Sequence, residues 1–521
     1  MLARKETNWM GHRKNLVVVG LLILLTLILP LTSVGIAYEW TREDWAAESE
    51  EVPKYGGVLR MGIEANPSTL NPILTNSIKD QFVSSKIYQG LLEHDMNSNP
   101  VPELAESWAI SEDGLTYTFH LVRNATWHDG VPFTSADVKY SFEEGHMKYN
   151  PMTEWKNIIA SVEAPDNYTA VFTLNYVFPG LHFYLAFKYG AILPKHLYEG
   201  TDFLNNTHNF DNPIGTGPFK WGEWVHGSHI TLVRNENYFK GGKPYLDGII
   251  MTIIPDAMTR ALALKTGEID YVPMYYPAPE VPAIKEDPRF NFFDFNIMGG
   301  GIVFIGFNLR HPILSDLRVR QAICHAIDKT FIGETAAYGL GFEAKGPIHP
   351  VGWGANPDLQ PPEYDPAEAN RLLDEAGYPR GAGGVRFTLR LATDSGFFMK
   401  LKTSEIVVGY LKEVGIQVDL RGMDLSTLFE IVYDQWDFDL VCDSYVSGPD
   451  PVVAVQRMFH SDMILNMPNR CNAWDYNNSR VDELIDVAAR EINDTERLGD
   501  LYEFQDIMVE DLPMDWVWTS G

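Results

Sequence analysis

Reaction chemistry in a protein needs particular side chains at particular spacings, and this chain of 521 residues shows few of them. A nucleophile elbow GxSxG, a zinc-holding HExxH and a phosphate-cradling GxxxxGK[ST] are all absent from the sequence. The nearest approach to a phosphate loop is GTGPFK at 215–220, which lacks a third glycine and follows no strand-to-helix pattern. It reads better as a tight turn before a strand. His226 and His229 form HGSH on a predicted hairpin loop, with neither cysteine nor carboxylate at ligand spacing, so no metal site is expected there. Asp95, Asn97, Asn99 and Glu106 occupy positions of a calcium loop, but Pro100 stands where the sharp turn requires glycine, and DMNSNP reads as an ordinary turn. Carboxylate pairs for sugar hydrolysis can be distant in sequence, and nothing marks one here. The chemistry searched for is missing, which accords with a protein that binds and does not react.

The remaining composition describes where such a binder works. Seventy acidic against 41 basic residues give a formal charge of −29, a field that repels phosphate backbones and makes nucleic acid an unsuitable partner. Arg4, Lys5, Arg13 and Lys14 precede the apolar run Leu16–Leu29, which Pro30 ends, and small residues follow at Gly35 and Ala37. This is the pattern of a secretory signal; extended through Ala37 it is long enough for an uncleaved membrane anchor. No cysteine follows the run to carry a lipid. Either way, residues from Tyr38 onward are expected outside the cytoplasm. The three cysteines, Cys324, Cys442 and Cys471, cannot make a complete disulfide framework, and the apolar neighbours of Cys324 and Cys442 predict buried thiols. Sequons at Asn124, Asn167, Asn205, Asn477 and Asn493 would be usable glycosylation sites on an exported chain.

A chain of this length exceeds one hydrophobic core, so two or three domains are expected. The acidic stretch 38–53 reads as a tether, and order is predicted from Tyr55. Alternation predicts strands in GGVLRMGIE, at Leu115–Val122 and at Tyr168–Leu174, and two more flanking NENYFKGGKP. DQFVSSKIYQGLLEHD has apolar residues near helical spacing, and Thr134–Phe142 opens with a Ser/Asp cap region. In the second half, Ile302–Leu309 is a dense apolar strand, followed by LRVRQAICHAIDKTFIGE, PAEANRLLDEAG, FTLRLAT, SEIVVGYLKEVG, IQVDLRGM and DFDLVCDSY. That alternation of strand and helix predicts α/β lobes with mostly parallel sheets. The closing DLPMDWVWTSG is apolar to its end, from which we expect an unfinished strand edge completed by a further C-terminal segment.

At 104–143, LAESWAISEDGLTYTFHLVRNATWHDGVPFTSADVKYSFE resembles the family-5 solute-binding proteins of ABC importers, the receptors for dipeptides, oligopeptides, nickel and oligosaccharides. The likeness runs on through GTGPFKWGEW, LVRNENYF, LKTGEIDY, LRVRQAICHAIDK, YDPAEANRLLDEAGYP and LKEVGIQVDL, over about residues 55–515. These blocks are structural in character. DGLTYTFHLVRNATWHDG looks like a hairpin turning at Asn124, with Trp127 over a core edge; Asp365 before Pro366 is a helix cap followed by proline at the first helical position. The resemblance implies an α/β, two-lobed clamp of the type II periplasmic-binding-protein class with an additional domain in lobe one. It places the signal or anchor at 1–37, the tether at 38–53, lobe one at 54–305 with the extra domain at about 93–204, lobe two at 306–510, and a return to lobe one at 511–521. The crossing strands are expected near Gly300–Leu309 and around Pro513.

The implied function is capture of a peptide-like ligand between the lobes and its delivery to an ABC transporter permease, without catalysis, cofactor or metal, by a monomer outside the cell membrane, held there by the N-terminal segment if it is not removed. Peptide receptors of this family carry an Asp four residues before the proline of a DP pair, where it meets the peptide ammonium. In SYVSGPDP, residues 444–451, that position is Ser447, whose hydroxyl supplies no charge. Asp450 is an alternative contact but reads better as the cap of PVVAVQRMF with Pro451 at its first position. Phe304, Trp353, Trp436 and Tyr445 are aromatic candidates for the cleft, and Asn71, Asn76 and Asn308 polar ones; each is also a candidate for the core. An oligosaccharide receptor of the same fold, a membrane-anchored sensory ectodomain and an exported hydrolase are the competing readings.

Overall fold

The computed structural model describes residues 53–520 apart from 76, 96–98, 151–154, 275, 293–300, 449 and 466–470. The apolar run at Leu16–Leu29, the tether up to Val52 and the candidate Asn76 therefore lie outside the described residues. Among the described residues no helix is long and apolar enough to cross a membrane.

The first half begins with β1 (Val58–Ile63) and α1 (Ile78–Ser84), followed by the short pair β2 (Leu92–His94) and β3 (Pro100–Pro102). The predicted helical run 80–95 is thus cut short. Tyr88 N and Ile87 N still bond to Ser84 O, but Gly90 then packs so tightly on the 185–187 backbone that a β-carbon there would lie 2.5 Å from Leu185 O. Next come β4 (Ala105–Ile110), β5 (Thr116–Leu121), α2 (Ser135–Tyr140), β6 (Ile159–Asp166), β7 (Thr169–Leu174) and α3 (Leu181–Tyr184). The strands β4-β5-β7-β6 form an antiparallel sheet whose aromatic core includes Phe119, Trp127, Phe142 and Phe172. β5 pairs with β4 and β7, not with the segment after Asn124; that segment closes its own small loop through a bridge of Thr126 to Pro132. The cap at α2 forms as expected, with Thr134 N donating to Asp137 Oδ2 at 2.9 Å.

β8 (Phe219–Val225), β9 (His229–Arg234) and β10 (Gly248–Ile253) join β1 in a second sheet of order β1-β10-β9-β8, and α4 (Ala257–Thr266) follows. GTGPFK is the turn that feeds β8. A β-carbon on Gly215 would sit 1.8 Å from Ile87 O, so this glycine serves close backbone approach.

The second half is one sheet and its helices: β11 (Ile302–Phe307), α5 (Leu317–Ala326), α6 (Lys329–Ala336), β12 (Gly341–Glu343), α7 (Pro366–Glu375), β13 (Phe387–Asp394), α8 (Phe398–Glu413), β14 (Ile416–Met423), β15 (Leu440–Tyr445), α9 (Pro451–Phe459), α10 (Asp494–Asp511) and β16 (Met514–Ser520). Its order is β12-β16-β11-β15-β13-β14. Central β11 is buried at every residue because both faces are covered: Ile302 and Phe304 enter one core, Val303, Ile305 and Phe307 the other. The expectation of mostly parallel sheets is corrected. β13 is parallel to β14 and β15, but β11 is antiparallel to both neighbours, and the small-domain sheet is antiparallel throughout. The antiparallel β11 and β16 come from the middle and the end of the chain, a pairing that local periodicity does not encode. β16 is not an edge either, since it lies between β12 and β11. Cys324, Cys442 and Cys471 are all buried free thiols.

Candidate functional site: the seam between the halves

Parallel strands gather ligand-binding loops at their carboxyl ends. The carboxyl ends of β13 and β15 lie on the same edge of the large sheet as the start of β11, because Ile302 pairs with Tyr445. Of the loops leaving that edge, the one after β15 reaches the first half of the chain, through Gly448 and Asp450.

The first half reaches this edge through α3. Gly180, its cap, packs on Asp450: a β-carbon there would fall 2.2 Å from Oδ2. Phe183 stands 5.8 Å from the Trp353 ring, and a β-carbon on Gly448 would lie 3.9 Å from the Tyr184 hydroxyl. Behind this contact Asp450 makes the cap that its sequence predicts, accepting from Val452 N at 3.0 Å. Its second oxygen accepts from Arg497 Nη2 at 2.6 Å, with both side chains 1% exposed. Arg497 also donates to Ala488 O at 2.7 Å and lies 4.7 Å over the Trp353 ring. Burial, reinforced by the Arg497 charge, holds His182 at a pKa of about 4, so the imidazole facing this ion pair is neutral.

A second buried network sits at the ends of β13 and β15. Lys400 Nζ donates to Asp443 Oδ1 at 2.9 Å and lies 3.7 Å from Asp394 Oδ2. The Tyr433 hydroxyl donates to Asp443 Oδ2 at 3.0 Å. Sequence reasoning missed this network and the two phenylalanines above it, Phe397 and Phe398. Their signal was present: FF directly after Ser395-Gly396 interrupts strand alternation where no core needs two adjacent rings.

The candidates from sequence divide sharply. Asp450 and Trp353 touch the first half at the seam, Ser447 lies in the loop that leads to Asp450, and Tyr445 at the end of β15 belongs to the core of the second half. Ser447 is buried, and the Tyr445 hydroxyl is already used, donating to Pro347 O at 2.6 Å and accepting from Trp516 Nε1 at 3.1 Å. Phe304 is core, 5.7 Å from Tyr445 and edge-on to Trp474. Asn308 and Trp436 are removed from the cleft. They lie past the Phe307–Leu440 pair, the other end of β11 and about 17 Å from the Ile302 end. There the Asn308 amide donates to Trp436 O and Phe438 O while its oxygen accepts from Arg310 N, and Arg310 stacks 3.8 Å over Trp436. Asn71 is also structural: fully buried, it caps the 72–74 turn through Ile73 N and donates to Asn209 Oδ1.

A separate groove of about 700 Å3 opens on the small domain, beside Glu106, His120, Arg123, Asp166 and Tyr168. It lies at the far end of β5 from Gly114, which touches Ile492 of the second half. Its walls come from one domain alone, so the seam, with elements of both halves, is the better site.

Comparison with known proteins agrees with this architecture. The family model described as "Bacterial extracellular solute-binding proteins, family 5 Middle" matches residues 99–464. The oligopeptide-binding protein AppA of Bacillus subtilis is 29% identical over 493 residues, 91% of this chain and 88% of that protein. The structure of HbpA2 from Haemophilus parasuis superposes with a TM-score of 0.79 at 27% identity, covering 89% of this chain and 94% of that one. AppA of B. subtilis in complex with a nonapeptide gives a TM-score of 0.66 at 27% identity, over 90% and 94% of the two chains.

Proposed function

Because the chain belongs to the bacterial extracellular solute-binding proteins of family 5, we propose that it captures a peptide-like ligand between its two lobes and delivers it to an ABC transporter permease. One observation carries the reading: the helix cap Gly180 of the first half packs on Asp450 of the second, beside strand ends where a ligand can touch both halves at once. A ligand that contacts both lobes only when they are together shifts the open–closed balance by its own binding energy, and the closed form is what a permease can read. The peptide-binding relatives support the ligand class.

We place the division of lobes at the entry to β11, Ile302, and keep β16 with lobe two, in place of the boundary at 305/306 and the return to lobe one at 511–521 expected from sequence, since β11 to β16 share one sheet. Lobe one holds the other sheets, with the small antiparallel domain as its addition. An extracytoplasmic monomer, anchored by residues 1–37 when they are retained, completes the proposal. The absence of catalytic motifs supports a receptor without turnover.

The test is calorimetric titration of residues 53–521 with mixed peptides and with oligosaccharides. Saturable peptide binding without chemical change in the peptide is expected. Saturable binding of oligosaccharide alone, or cleavage of any bound compound, overturns the reading.

A further inference from the structure

From the seam edge of lobe two we infer that the ligand presents apolar side chains there: Phe397, Phe398, Tyr338 and Val446 form an aromatic-rich shelf that selects uncharged, hydrophobic peptides. This inference rests on the peptide-receptor reading and narrows it.

Three observations carry it. First, Phe397 and Phe398 follow the carboxyl end of β13 and are 40% and 57% exposed, while Val446 follows the end of β15 and is 43% exposed. Scattered surface apolars need no explanation, but these follow the ends of two parallel neighbouring strands, on the edge whose loop carries Asp450 to the first half. Second, the shelf is held in place. Tyr338 takes φ +55°, a left-handed conformation that costs a tyrosine energy, and its ring stacks on Phe398 at 6.2 Å and 24°. Phe397 rests over Lys400, 5.3 Å from Nζ. Third, neither buried cation beside the shelf is free: Lys400 lies between Asp443 and Asp394, one carboxylate more than it neutralises, and Arg497 is held by Asp450. A charged side chain laid against the exposed faces of Phe397, Phe398 and Val446 would give up its water to apolar atoms. An aromatic or aliphatic side chain loses only unfavourable hydration and gains ring contact.

The experiment uses residues 53–521 and short peptides of matched length that differ only in their central residues, leucine and phenylalanine in one series, lysine and glutamate in the other. Calorimetry is expected to show the apolar series binding roughly ten-fold tighter or more, the discrimination a hydrophobic surface supplies. The double variant Phe397→Ser/Phe398→Ser is expected to lose that preference while its thermal midpoint stays near wild type, because neither ring is buried. The peptide series on wild type stands as a test even if the variant folds poorly. Equal affinity for the two series, or a preference for the charged one, overturns the shelf and leaves the receptor reading intact. Failure to bind either series while an oligosaccharide binds overturns both.

Discussion

The α-carbon of Gly180 lies against the carboxylate of Asp450 so closely that a β-carbon would fall 2.2 Å from Oδ2. The two residues belong to different lobes, and the contact sets how near α3 can come to the start of α9. In Gly180→Val the lobes must stop short of it. Peptide affinity is expected to fall about ten-fold or more, because the closed state that binds is made less populated. Titration calorimetry checks this, with unchanged affinity excluding the contact from closure.

Asp450 and Arg497 are each 1% exposed, so breaking the pair strands a buried charge. Asp450→Leu is expected to destabilise lobe two by about 3–5 kcal/mol in urea unfolding. Asp450→Leu/Arg497→Leu should cost less than that single change, since the stranded guanidinium is gone. A double variant worse than the single would mean that the pair is not coupled as its geometry indicates.

Acid should loosen the small domain through His146. Burial holds this imidazole at a pKa of about 4, and its neutral form is used twice, with Nε2 donating to Ala191 O at 2.8 Å and Nδ1 accepting from Asn150 Nδ2 at 2.8 Å. The unfolded chain binds the proton from about pH 6.5 downward, whereas the folded one resists it until about 4. Stability is therefore complete above about pH 6.5 and lost as pH falls toward 4, on the order of 3 kcal/mol from this residue. His146→Gln is expected to flatten the urea midpoint between pH 7 and 5, and an unchanged slope would remove His146 from the acid response.

What could be read before the structure was local. Thr134 with Asp137, Asp365 with Pro366 and Asp450 with Pro451 are caps built within a few residues, and each forms as read. The turn at Gly215 was legible for the same reason. What could not be read depends on partners far along the chain. The parallel pairing of β1 with β10 and the insertion of β16 between β12 and β11 join segments that local periodicity does not connect. Asn308 shows how a site residue is misjudged: its amide has the chemistry of a ligand contact, yet the backbone carbonyls of Trp436 and Phe438 consume it. Phe397 and Phe398 break the alternation of the strand before them, but that they stand exposed at its carboxyl end follows only once β13 is placed beside β15.

Small-angle X-ray scattering of residues 53–521, with and without a saturating peptide, tests the central claim most directly. The radius of gyration is expected to fall on binding, and to fall less for Gly180→Val at full occupancy. An unchanged profile, with saturation verified by calorimetry, would contradict a clamp that closes on its ligand.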